Sequence, residues 1–95
     1  MIVLPDFRLM RKSAKWMVLA DDRILEYLHE NDASIPSEIA EDPRIPWGRQ
    51  HIGDRCRTLS ENGLLRNIGR GVYSITEAGA EYLDGELDAK ELSEE

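Results

Sequence analysis

One stretch, residues 47–75, does most to limit what this chain can fold into. Ile52, Cys56 and Leu59 recur at i, i+4 and i+7, the spacing of one buried stripe on a helix. Gln50, Asp54, Arg57 and Glu61 fall on the opposite face, flanked by Arg49 and Gly53. The pattern predicts a helix from about Trp47 to Asn62, ended by Gly63. Two short strands follow at once. Leu64, Arg66 and Ile68 alternate with Leu65 and Asn67, Val72–Ile75 returns, and Gly69-Arg70-Gly71 forms the turn between them. A helix that hides one face and leads straight into a hairpin must pack against something upstream.

The upstream residues supply it. Asp21–Glu30 reads as a first helix, with acidic Asp21 and Asp22 in the first turn and Ile24, Leu25 and Leu28 facing inward. Asn31 is expected to end it in the left-handed conformation. Asp32-Ala33-Ser34 fits a turn or a very short strand. Pro36 suits the first position of a short second helix that turns Ile39 and Ala40 to the core. Pro43 and Pro46 then force a turn through Asp42–Pro46. After the hairpin, Thr76 caps a last helix with Ala80, Tyr82 and Leu83 inward. The order defines an α+β, mainly α fold: a winged helix-turn-helix with a three-helix core, a two-stranded wing hairpin and a C-terminal helix. Residues 1–19 read as an N-terminal arm in which Trp16 and Met17 cap the core. Residues 20–84 read as the domain, and 85–95 as an acidic extension. A chain of 95 residues holds one hydrophobic core.

Composition narrows the chemistry. No apolar run approaches the ~18 residues of a membrane span, and no signal peptide is visible, so the cytoplasm is expected. Cys56 is the one cysteine, which excludes an internal disulfide and a thiolate zinc cage. His29 and His51 fall in different elements, not at the spacing of a helical metal pair. No cofactor and no small-molecule substrate are expected. The net charge of −7 argues, as a bulk number, against a nucleic-acid partner. Its distribution argues the other way. Residues 45–75 carry Arg49, Arg55, Arg57, Arg66 and Arg70 against only Asp54 and Glu61, while the acidic residues crowd into 20–44 and 76–95.

In such a fold the third helix can enter the major groove of double-stranded DNA and the wing can reach phosphates or the minor groove. Arginine can fork onto guanine and glutamine onto adenine, which nominates Arg49, Gln50 and Arg57. Gly53 would let the helix backbone approach the groove closely. Asp54 repels phosphate, but can accept from cytosine or orient Arg57 three residues on. Arg66 and the wing-tip Arg70 are candidates for phosphate. Arg55, beside the buried stripe, reads as a structural ion-pair partner, Trp47 as a hydrophobic plug, Cys56 as core, and His51 as a flank residue. Arg11, Lys12 and Lys15 can lie along phosphates or pair with the acidic blocks. Two rivals stand beside DNA binding. One is a winged-helix module that holds a protein. The other is an enzyme, disfavoured because the carboxylates sit in solvated runs without a paired nucleophile or phosphate loop.

Several segments together resemble a known family. Trp16-Met17 with Asp21–Leu28, Pro36–Ala40, Asn62–Leu65 and Gly71–Gly79 are similar to haloarchaeal winged-helix proteins related to the repressor of phage phi-H. The resemblance implies a DNA-binding transcriptional regulator, a repressor, acting as a homodimer in a high-salt archaeon. It supplies no catalytic residues. An acidic surface would then keep the protein hydrated in salt; the alternative is an ordinary acidic protein with a solvated tail. Two copies would read a palindromic site with recognition helices about 34 Å apart.

Overall fold

The computed structural model describes residues 12–87. Readings for the arm over 1–11, Arg11 included, and for the acidic extension over 88–95 lie outside the described residues. The elements are α1 (Leu19–Glu30), α2 (Pro36–Ile39), α3 (Arg49–Glu61), β1 (Leu65–Asn67), β2 (Tyr73–Ile75) and α4 (Glu77–Leu83). They form a winged helix-turn-helix: α1, α2 and α3 pack together, and the antiparallel β1–β2 hairpin and α4 close the other side of the core.

Helix α1 begins two residues earlier than the sequence suggests. Val18 is its extended N-cap residue, and the Asp21 carboxylate accepts the Val18 N–H at 3.0 Å. The expectation for Asn31 is corrected. Its backbone is extended, with φ −124°, not left-handed. The helix ends instead on the Tyr27 carbonyl, which accepts both the Asn31 backbone N–H and the side-chain Nδ2. The reason is topological. Ser34 must reach Tyr73, with which it exchanges two backbone hydrogen bonds of 3.0 and 2.9 Å, so the chain leaves α1 extended.

Helix α2 starts at Pro36, after an extended Ile35 whose N–H donates to the Glu38 carboxylate at 3.3 Å. The Asp42–Pro46 turn carries a cluster of ion pairs at its surface. The Arg44 guanidinium forks onto Glu30 at 3.0 and 3.2 Å and also reaches Asp42 at 2.9 Å. Asp42 is held below its ordinary carboxylate value by the Arg44 side chain and then by the Arg44 backbone N–H. Next to this clamp Ile45 turns into the core, 5% exposed.

Helix α3 starts at Arg49, after Gly48, so Trp47 packs on the core from just outside the helix. Ile52, Cys56 and Leu59 are its buried residues. Its end is closed by a left-handed Gly63 (φ 85°): the Leu64 N–H bonds the Leu59 carbonyl and the Gly63 N–H bonds that of Ser60. This six-to-one, five-to-two pairing satisfies carbonyls the helix would otherwise leave bare. In the wing, Leu65 pairs with Ile75, Arg66 with Ser74 and Asn67 with Tyr73. Thr76 then links two elements. Its hydroxyl donates to the Gly63 carbonyl at 2.7 Å and accepts the Gly79 N–H at 3.1 Å as the cap of α4.

Two polar links cross the core. Asp21, fully buried, receives the Arg55 guanidinium of α3 in a two-pronged pair of 2.8 and 2.9 Å. The same guanidinium donates to the Trp16 carbonyl at 3.2 Å. The hydrogen bond to Asp21 holds Arg55 above its ordinary value, so it stays charged. Asp22 accepts from the buried Tyr82 hydroxyl at 2.7 Å, and Ser13 lies 3.0 Å from the same hydroxyl. Ala14 is buried, and Trp16 and Met17 lie half-buried against the core as expected.

Cys56 is fully buried, and burial, with the nearby Asp21 charge, pushes its thiol from 9.0 up to about 12. The unfolded chain gives up this proton first, so stability falls as pH rises from the unfolded value toward the folded one. Below that window the thiolate is scarce and shielded. A disulfide reagent at pH 8 is therefore expected to label Cys56 only at the rate of unfolding, accelerating with denaturant. Prompt labelling of the folded protein would contradict the packing.

Candidate nucleic-acid interface

The amphipathic design of α3 separates two jobs. Ile52, Cys56, Leu59 and the Asp21-bound Arg55 hold the helix to the body. Arg49, Gln50, Asp54 and Arg57 stay exposed. These four do not stand alone. One open groove is lined by Ile35, Pro36 and Ser37 at the start of α2, by Arg49, Gln50, Gly53, Asp54 and Arg57 along α3, and by Arg70 and Gly71 at the wing tip. Of the seven residues nominated from sequence, only Arg66 is absent from this lining. It is exposed on β1 opposite Ser74.

The wing tip owes its shape to three consecutive residues with positive φ: Gly69 at 115°, Arg70 at 57° and Gly71 at 76°. Arginine rarely adopts this conformation, and its glycine neighbours make the turn possible. The Asn67 side chain accepts the Gly69 N–H at 2.9 Å and braces the turn from below. The tip thus carries one cation to the groove on a turn braced by a side-chain hydrogen bond.

Within the groove Arg57 Nη1 donates to Asp54 Oδ1 at 3.4 Å. The two side chains are 65% and 59% exposed, so the pair is worth little in stability and is free to rearrange. A Cβ on Gly53 would meet only the Pro36 ring, at 3.8 Å, an ordinary contact. The glycine is therefore not demanded by the packing of α2 on α3; it leaves the floor of the groove bare. Three arginines against one carboxylate make this lining cationic, in a chain that is acidic overall. Of the four acids of α1, Asp21 and Asp22 are turned inward, Glu26 pairs with Arg23 and Glu30 with Arg44.

Other nominated residues sit elsewhere. His51 is exposed and tilts against Trp47, ring centroids 6.2 Å apart. Lys12 and Lys15 are exposed. Ile35, Pro36 and Ser37 were not nominated as groove residues. Their placement needs α2 to lie across α3, which no local pattern reveals. Among the described residues no group of three His, Cys, Asp or Glu side chains could hold a metal ion, and no helix is long and apolar enough to cross a membrane.

A cationic groove between a short helix, an amphipathic helix and a wing is the defining site of a winged helix-turn-helix domain. The chain belongs to the winged helix-turn-helix phage repressor family, whose model matches residues 10–95. It is 33% identical over 88 residues to the repressor protein of Halobacterium phage phiH, covering 87% of this chain and 97% of that protein. It is also similar to the PhiH1 repressor-like protein from Haloarcula marismortui. That crystal structure superposes with a TM-score of 0.81 at 40% identity, covering 83% of this chain and 90% of the other.

Proposed function

We propose that this protein is a DNA-binding transcriptional repressor, and not an enzyme, that reads double-stranded DNA with α3 in the major groove and the wing on the backbone or minor groove. The observation that carries the reading is that Arg49, Gln50 and Arg57 of α3 line one groove together with Arg70 of the wing tip. Family membership supports it, as does the similarity to a protein named as a repressor. Arg49 and Arg57 present forked donors suited to guanine, and Gln50 suits adenine. Arg70 reaches a phosphate or the minor groove, and Arg66 a backbone phosphate beside it. Two copies acting as a homodimer would set α3 helices about 34 Å apart on one face of the duplex.

The test is fluorescence anisotropy of the full chain on duplex from upstream of its own gene and on a scrambled duplex, across a salt series. Tighter binding to the native duplex is expected. Arg57→Ala should weaken it by about 1–3 kcal/mol, the usual worth of an arginine on a base edge. Arg57 is exposed, so the variant should fold normally. Equal or absent binding to both duplexes by a folded protein would transfer the groove to a protein partner instead.

A further inference from the structure

Asp54 is the groove residue that a phosphate-binding surface does not explain. It lies among Arg49, Arg57 and Arg70, where it lowers the attraction for a polyanion. It does no structural work with its carboxylate. The hydrogen bond that Thr58 makes to residue 54 goes to the backbone carbonyl. The carboxylate touches Arg57 through one oxygen at 3.4 Å and is otherwise open to solvent. An ionised carboxylate has about four acceptor sites, and a guanidinium has five donors in a fixed fork. The contact between them therefore leaves most of both groups unspent, and it sets the Arg57 fork beside the Asp54 carboxylate.

We propose that Asp54 and Arg57 act as one reading unit for a G·C base pair, with Asp54 a specificity-determining residue. The inference rests on the reading of the groove as a DNA site. Two residues three apart on α3 lie on one face, about 4.5 Å apart along the helix axis, so both can face one base pair. In the major groove a G·C pair offers the guanine O6 and N7 acceptors next to the cytosine N4 donor. Arg57 takes the guanine edge through its fork while still bonded to Asp54. The free Asp54 oxygen accepts from cytosine N4–H. Opposite the thymine O4 or guanine O6 acceptor, the same oxygen meets an acceptor and is repelled. The carboxylate thus gives up some attraction for phosphate and gains discrimination.

The experiment is selection of bound duplexes from a random pool by the full chain, followed by sequencing. Wild type is expected to enrich a motif with a G·C pair fixed at one position in each half-site, favoured about tenfold or more over other pairs. Asp54→Ala should keep the rest of the motif and lose the preference at that pair. Arg57→Ala should lose it at the same pair. Asp54→Asn should keep part of the preference there, since its amide oxygen can still accept from cytosine N4–H. A wild-type motif unchanged in Asp54→Ala would overturn the proposal and leave the DNA site standing. A wild type that enriches no sequence would remove the DNA reading itself, and this inference with it.

Discussion

Asp21→Ala is expected to cost about 3–5 kcal/mol of stability, toward the lower end, because it strands a mostly buried guanidinium. Arg55, about one-fifth exposed, keeps some access to water. The loss is a large share of the ~5–15 kcal/mol typical of a small domain. It should appear as a fall in the urea midpoint with an unchanged slope. The backbone N–H of Val18 loses its acceptor too. The control is the double variant Asp21→Leu, Arg55→Met. Removing both charges together should recover most of the loss, since a buried pair is often no better than apolar groups of similar size. If the single variant were as stable as wild type, the pair would be incidental. The functional stake is the pose of α3. Arg55 sits between the exposed groove face and the buried stripe, and its bond to Asp21 ties α3 to α1.

The second large effect concerns a residue whose intrinsic preference points the other way. Glycine inside a helix is normally worse than alanine by about 0.5–1 kcal/mol, so Gly79→Ala should stabilise α4. The packing forbids it. A Cβ there would meet the Leu64 carbonyl oxygen and lie 2.7 Å from Ile75 Cγ1. Leu64 cannot retreat easily, because its carbonyl accepts the Thr76 N–H at 3.2 Å. Overpacking of this kind costs about 1–3 kcal/mol, and disturbing the Thr76 cap on the Gly79 N–H adds about 1 more. A net loss of about 2–4 kcal/mol should lower the melting temperature by roughly ten degrees or more. A rise on Gly79→Ala would mean that α4 does not approach the wing root this closely.

Periodic signals in the sequence carried the architecture. The i, i+4, i+7 stripe of α3, the Gly63 stop, the glycine-flanked turn and the Thr76 cap each act over a few residues, and each is found as expected. Arg55 reads correctly as an ion-pair partner because it sits beside the stripe. Its partner did not read correctly. Asp21 occupies a position where a first-turn acid is expected for local reasons, and that local reason hid a pairing across 34 residues. The same blindness covers Ile45 and Arg44, where two prolines signal a turn but not which side chains turn inward. It also covers Tyr82, whose inward position was legible but whose hydroxyl partner on α1 was not. For the groove, the α3 and wing-tip residues follow from helical phase and turn chemistry. The α2 contribution depends on how two helices cross, and local sequence does not fix that. Asn31 failed for the same reason: the demand that Ser34 meet Tyr73 overrode the residue's own preference.

The division of labour on α3 bears on how such a protein can evolve. Gln50, Asp54 and Arg57 have few ties to the core, whereas Ile52, Cys56, Leu59 and Arg55 carry the helix. Exchanges at exposed positions usually move stability by no more than about 0.5 kcal/mol. Lineages can therefore rewrite what the groove accepts while the scaffold stays still. Relatives with the same backbone are free to diverge in what this groove accepts at little cost in stability.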